Sequence, residues 1–268
     1  MTDFLDAAMI EDIFYRLLVS TVLFSILIVL SYWKKIQMEK KFLISFLRGI
    51  LQILLVASLL IVIFGLTDVI IMFLVLLIMS IFAALTAKRN FPYPHMFRIH
   101  IIGITSSSMF VMGFVTIVGI IPSEGSYIIP MGGMVIANVM VMTGVTLERL
   151  IADIKKSKGM IEAALSLGDS ATNSIRGIAI DAYRAGLLPS TNRVAILGVV
   201  TIPGLMSGMI IGGVNPIIAA IYQIIIFLMI LVAGFLGEII ITIFFLREIF
   251  NDDLQLNMQY FVRENNFS

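Results

Sequence analysis

The chain has 268 residues, 60% of them hydrophobic and 13% charged, with a net charge of +1 and a mean hydropathy of +1.07. Soluble domains average roughly 25% charged residues, so so few charges cannot cover a water-facing surface, and a soluble fold is excluded. The near-zero net charge gives no reason to expect a nucleic-acid partner, and the absence of cysteine removes disulfides, thiolate metal sites and cysteine nucleophiles.

What remains is an all-α, polytopic membrane protein. The first twelve residues carry Asp3, Asp6, Glu11 and Asp12 and no basic stretch, so the first apolar run reads as a retained span rather than a signal peptide. A helix needs about 20 apolar residues to cross the hydrocarbon core. That length predicts about seven spans, near 17–33, 43–66, 69–85, 99–121, 129–146, 194–211 and 217–246, within one integral membrane domain covering 1–268. Thr67-Asp68 leaves room only for a tight turn between spans two and three.

The connecting segments alternate in charge. Lys34, Lys35, Lys40, Lys41, Lys88, Arg89 and Arg98 fall on one side, as do Arg149, Lys155, Lys156, Lys158, Arg176, Arg184, Arg193, Arg247 and Arg263. Sixteen of the eighteen basic residues thus share a side, and the positive-inside rule makes that side cytoplasmic, with the N-terminus out and the C-terminus in.

Within span two, Arg48 and Gln52 share a face at i, i+4 and are pathway candidates, although so shallow an arginine can also snorkel to headgroups. His95 and His100, near the cytoplasmic end of span four, have no clustered carboxylate and read as surface residues without a metal. Span five carries Met134 and Asn138; an amide in mid-span must face another helix or a pore. Residues 147–193 form the one sizeable cytoplasmic segment, with Ile161, Ala164 and Leu165, then Ile175, Ile178, Ala179 and Ala182 at helical spacing. Gly168-Asp169-Ser170 between them reads as a helix stop followed by a new N-cap. The prediction is an amphipathic helical hairpin. In span six Pro203 breaks the backbone ladder, Met206 is a further pathway candidate, and Gly204, Gly208 and Gly212 form a ridge for helix packing. Glu238 lies in a 30-residue span seven, long enough for it to have reached the cytoplasmic interface.

Glu162-Ala163-Ala164-Leu165-Ser166-Leu167-Gly168 resembles the EAA-x-x-x-G signature of ABC-transporter permeases, whose cytoplasmic helix docks on the ATP-binding subunit. Its Leu188-Pro189 stands farther from the glycine than the usual continuation, which places the chain outside the standard importer subgroup. Together with Arg48 to Gln52, Ile129 to Asn138 and Thr201 to Met209, this segment resembles the FetB-type permease family. That resemblance implies a homodimeric exporter of iron or another metal in the cell membrane, working with a FetA-like ATP-binding subunit. It implies coupling through Glu162, Ala163, Ala164, Gly168 and Asp169. Plant relatives are linked to aluminium tolerance, and a sugar nucleotide is an alternative cargo. No G-x-x-x-x-G-K-[ST] phosphate loop and no hydrolytic motif occurs, so ATP would be used by the partner chain, with no cofactor held here and no enzyme activity of its own. An ATP-independent transporter or channel is the alternative; it would need a buried acidic relay, for which Glu238 is the candidate.

Overall fold

The computed structural model describes residues 7–63, 68–91, 93–250 and 256. Among these the secondary structure is helical, apart from isolated bridges pairing Leu197 with Thr201 and Phe250 with Leu256. Six helices among them are long and apolar enough to cross a membrane. Contacts divide the chain into two compact units, Met1–Val62 and Ile63–Ser268.

The first unit contains α1 (Ala7–Trp33) and α2, which starts at Glu39 and runs to Ile63. Lys35 and Gln37 take left-handed backbone angles in the short link between them. Ser31 donates to Glu39 Oε1 at 2.8 Å, and seven residues farther from the turn on each helix Phe24 stacks on Phe46 at 4.2 Å. Equal steps away from the turn mark an antiparallel pair. Most of its described side chains are exposed and apolar, as a lipid-facing hairpin requires.

The second unit is built on α3 (Val69–Lys88), α4 (Met96–Ile117), α5 (Gly125–Lys156) and α10 (Pro216–Ile249). Asp68 caps α3 by accepting from the Ile70 N–H at 2.8 Å; Thr67 of the expected turn lies outside the described residues. Asn215 caps α10 in the same way through the Ile217 N–H, with Pro216 in the first turn where its missing donor costs nothing. α10 packs against α4, α5 and α8, and α3 packs on α4 and α5. Glycines permit this closeness: a Cβ at Gly132 would lie 2.5 Å from Leu76, and one at Gly237 would lie 2.8 Å from Val139.

Past α5 come α6 (Lys158–Ser166), α7 (Ala171–Ser174), α8 (Arg176–Ala195) and α9 (Gly204–Ile211). Here the structure departs from the predicted span 194–211. Helix α8 starts well before residue 194 and turns back along α5, burying Ile175, Ala179, Ala182, Gly186 and Ser190 at one-turn intervals. The helical ladder then stops, and residues 196–203 form a loop before α9. Gly198 adopts φ +77° and its N–H donates to the Thr201 carbonyl, while Pro203 stands as the N-cap of α9 rather than inside a helix. A residue before proline is pushed toward extended geometry, and the β-branched run Val199-Val200-Thr201-Ile202 tolerates that geometry well. A hydropathy window cannot distinguish this loop from a helix.

The buried apolar residues form two clusters. One joins α3, α4, α5 and α10 through Leu76, Ile104, Val135, Met142 and Ile230. The other joins α4, α5, α6, α8 and α10 through Met96, Ile154, Ile161, Ala182 and Phe245. Between them lies a seam of small and polar residues: Gly103 and Ser107 on α4, Thr143 and Thr146 on α5, Gly186 on α8, and Gly234, Gly237 and Glu238 on α10.

Candidate functional site

Three polar constellations sit on this frame. The first is the α6–α7 elbow. Ile161 is fully buried in the second cluster beside Ile154 and Ile175, and Leu165 is half-buried against it. Burying one such side chain contributes about 1.5–3 kcal/mol, enough to fix α6 to the bundle. The opposite face is exposed: Met160, Glu162, Ala163 and Leu167, with Leu167 90% accessible. The stop at Gly168 is a Schellman turn. Gly168 has φ +90°, its N–H donates to Leu165, and the Asp169 N–H reaches the Ala164 carbonyl at 3.1 Å. Asp169 Oδ1 then accepts from the Ser170 N–H, and Ser170 Oγ from the Asn173 N–H. The predicted stop and N-cap are thus present as read.

The second constellation lies beside the loop that follows α8. Asn138 Nδ2 donates to the Met134 carbonyl of its own helix, and its Oδ1 accepts from Arg193 Nη1 at 2.9 Å. Asn138 is thirteen residues, about 20 Å, into α5. Arg193 therefore stands deep alongside the apolar half of α5, not out in a loop. The outward face of α8 is polar, with Asp181, Arg184, Thr191, Asn192 and Arg193 exposed. Met134 is half-buried beside this pair, while Met206 lies on α9, which packs mainly against α10.

The third is Glu238 in the seam. It is fully buried among the helices, eleven residues and about 16 Å from the end of α10. Thr146 of α5 comes close but donates to the Met142 carbonyl at 3.1 Å, and neither carboxylate oxygen closes a hydrogen bond among the described residues. His100 is corrected too: it is fully buried on the inner face of α4, both ring nitrogens unpartnered, with its ring 5.5 Å from Phe91. The spacing Met96, Ile99/His100, Gly103/Ile104, Ser107 places it there. His95 remains exposed. Among the described residues no three His, Cys, Asp or Glu side chains cluster as metal ligands.

Other predicted residues stand apart. Arg48 is half-buried and Gln52 exposed on α2 in the first unit. Among the described residues nothing packs into the glycine ridge of α9: a Cβ at Gly204 or Gly208 would meet nothing within 4 Å, and one at Gly212 would meet only its own turn. The glycines that do permit close packing are elsewhere. Gly186 is missed along with Gly103, Gly234 and Gly237: a Cβ at Gly186 would collide with Thr146 Oγ1 and the Glu238 carboxylate, reaching the Glu238 Cδ at 2.9 Å. Its place in the 175, 179, 182, 186, 190 stripe was a readable signal.

Residues 14–250 match the family model described as “Uncharacterised protein family (UPF0014)”. The chain belongs to the UPF0014 family. A UPF0014 membrane protein of Synechocystis is 31% identical over 85% of this chain and 90% of its own. The “Probable iron export permease protein FetB” of Escherichia coli is 30% identical over 85% of this chain and 89% of its own. The “Protein ALUMINUM SENSITIVE 3” of Arabidopsis thaliana is 28% identical over 87% of this chain and 86% of its own. No solved structure matches. This UPF0014 member is a multi-pass membrane protein, and the elbow, the Asn138–Arg193 pair and the seam all fall inside the matched region.

Proposed function

We propose that this UPF0014 protein is the membrane permease subunit of an ABC transporter that exports iron or a similar metal, driven by ATP hydrolysis in a separate subunit. The observation that carries the reading is the elbow. A short helix is anchored on one face by Ile161, ends in a fixed Schellman turn, and presents Glu162, Ala163 and Leu167 outward. Small side chains let a partner surface approach closely, and Leu167 offers an apolar knob. The name of the Escherichia coli relative supports both transport and iron.

In this reading the basic end of the bundle faces the cytoplasm. ATP binding closes the partner pair against the elbow, and Ile161 and Ile175 pass the motion to α8 and the end of α10. The polar outer face of α8 and the loop at 196–203 line the pathway. Non-helical backbone at membrane depth is tolerated only against protein or a water-filled cavity, and Val199 and Ile202 are exposed in the single chain. A second copy of the chain covers them, so the transporter is a homodimer. One observation favours a second cargo class. Arg193, held by Asn138, suits an anion, so a sugar nucleotide or an anionic metal complex is the alternative to a bare cation.

The test is reconstitution with a FetA-like ATP-binding protein, together with the metal content of cells lacking the chain. Expected is ATP turnover that depends on the permease and falls in Gly168→Ala, with metal accumulating in the deletion strain. Normal metal handling in that strain rules out the metal cargo; turnover indifferent to the permease rules out the ABC assignment and leaves an ATP-independent transporter.

A further inference from the structure

The pathway just described makes no use of Glu238, yet no other carboxylate among the described residues is so enclosed. Both of its oxygens lack a hydrogen-bond partner, as does Thr242 Oγ1 one turn along the same face. The elements packed around it bring no cation to it. On α5, Arg149 is bound to Asp153 at 2.7 Å, and Glu148, Lys155 and Lys156 are exposed. On α8, Arg184 is bound to Asp181 at 3.1 Å, Arg193 is on Asn138, and Arg176 is exposed. On α4, Arg98 is exposed and His100 stacks beside Phe91. On α10 itself Arg247 lies over Phe244, and Glu248 is half-buried. α9 has no charged residue. A titratable neighbour is Tyr183 of α8, beside Thr242 and Glu238, while Thr242 Oγ1 has no hydrogen-bond partner among the described residues.

An ionised carboxylate enclosed without donors is strongly disfavoured. The neutral acid escapes that cost, and Thr146, whose hydrogen is committed to the Met142 carbonyl, leaves an oxygen lone pair beside it for its O–H. A metal ion would need several converging oxygens and space for itself. On the α8 side that space is absent, since the backbone of Gly186 leaves less than a methyl group's room against the carboxyl. A proton fits.

We propose that Glu238 is a proton-binding site of this protein: it holds a proton while α8 is packed on α10 and releases it when α8 withdraws. On withdrawal water enters the Gly186–Glu238 contact, the acid O–H bond breaks with its electron pair left on the carboxylate, and the proton passes to that water. Repacking of α8 takes a proton up again. The resting protonation stands on the seam alone; the withdrawal of α8 rests on the transport reading.

The experiment is infrared difference spectroscopy of the full chain in lipid nanodiscs at neutral pH, wild type minus Glu238→Gln. Expected is the carbonyl stretch of one protonated carboxylic acid, lost in Glu238→Gln and shifted in Thr146→Val and Thr242→Val, which keep the acid and the side-chain shape. The threonine variants serve should Glu238→Gln not fold. Carboxylate bands in place of the acid band, or an acid band unmoved by both threonine variants, overturn the site. Replacing sodium by potassium should leave the band unchanged; a band that follows the alkali cation overturns a proton as the ligand. With the ATP-binding partner turning over, the acid band should fall. A band that persists during permease-dependent turnover overturns the release step and leaves the permease reading intact, whereas absence of permease-dependent turnover sinks that reading and the cycle with it.

Discussion

Replacing Gly186 by alanine tests the packing of the seam. The added methyl lands against Thr146 Oγ1 and the Glu238 carboxylate, with 2.9 Å to Glu238 Cδ. These atoms belong to α5 and α10, both packed against α8, and both residues are fully buried, so room must be made inside the seam. Overpacking a tight site costs about 1–3 kcal/mol, and alanine recovers about 0.5–1 kcal/mol of helix propensity over glycine. The expected net loss is about 1–2 kcal/mol, or a 5–30-fold fall in the folded-to-unfolded ratio. Gly144→Ala on α5 is the matched control, because a Cβ there meets nothing within 4 Å and only the propensity gain remains. Denaturant titration in mixed micelles, followed by circular dichroism, measures both. The argument fails if Gly186→Ala is as stable as Gly144→Ala.

Four further outcomes are expected. Gly168→Ala, at φ +90°, should cost about 1–2 kcal/mol locally, raising protease cleavage between α6 and α7 while the bundle's melting temperature moves little. In a double-mutant cycle, Asn138→Ala and Arg193→Ala should couple by about 1.5–3 kcal/mol, the range for a hydrogen bond to a charged group; additive stability losses would show that the pair is not formed. Gly204→Leu and Gly208→Leu should leave the single chain's stability unchanged but weaken self-association in sedimentation, since the space beside them is empty within one chain. Phe24→Ala should destabilise the first unit, and with Phe46→Ala should show about 0.5–1.5 kcal/mol of coupling from the stacked rings in the same titration.

Much of this was readable before any coordinates. The long apolar runs became α1 to α5 and α10 because composition alone decides which segments can sit in lipid. The inner face of the elbow followed from 3.6-residue spacing, and Gly168-Asp169-Ser170 from turn chemistry. The loop at 196–203 was hidden because it is apolar, and apolarity says nothing about whether a backbone is helical. Gly198 and Pro203 were the only local hints. The packing of α8 was hidden for the opposite reason: its arginines marked it as part of a cytoplasmic helical hairpin ending near Gly186, whereas its small residues at 179, 182, 186 and 190 fit it against α5 and α10. The inner face of His100 was open to reading from the spacing of α4, whereas enclosure of Glu238 depends on which helices meet, which no single segment encodes.

The seam also fixes the register of the second unit. On α10, Ile230 and Ala233 pack in one apolar cluster and Ile241 and Phe245 in the other, while the turn between them offers Gly234 and Gly237. These glycines are sockets: Met142 of α5 sits over Gly234, Val139 over Gly237, and Ile241 of α10 over Gly103 of α4. Each socket takes its knob at one height, so α4, α5 and α10 are keyed to one another at the level where Glu238, the one enclosed carboxyl among the described residues, is kept.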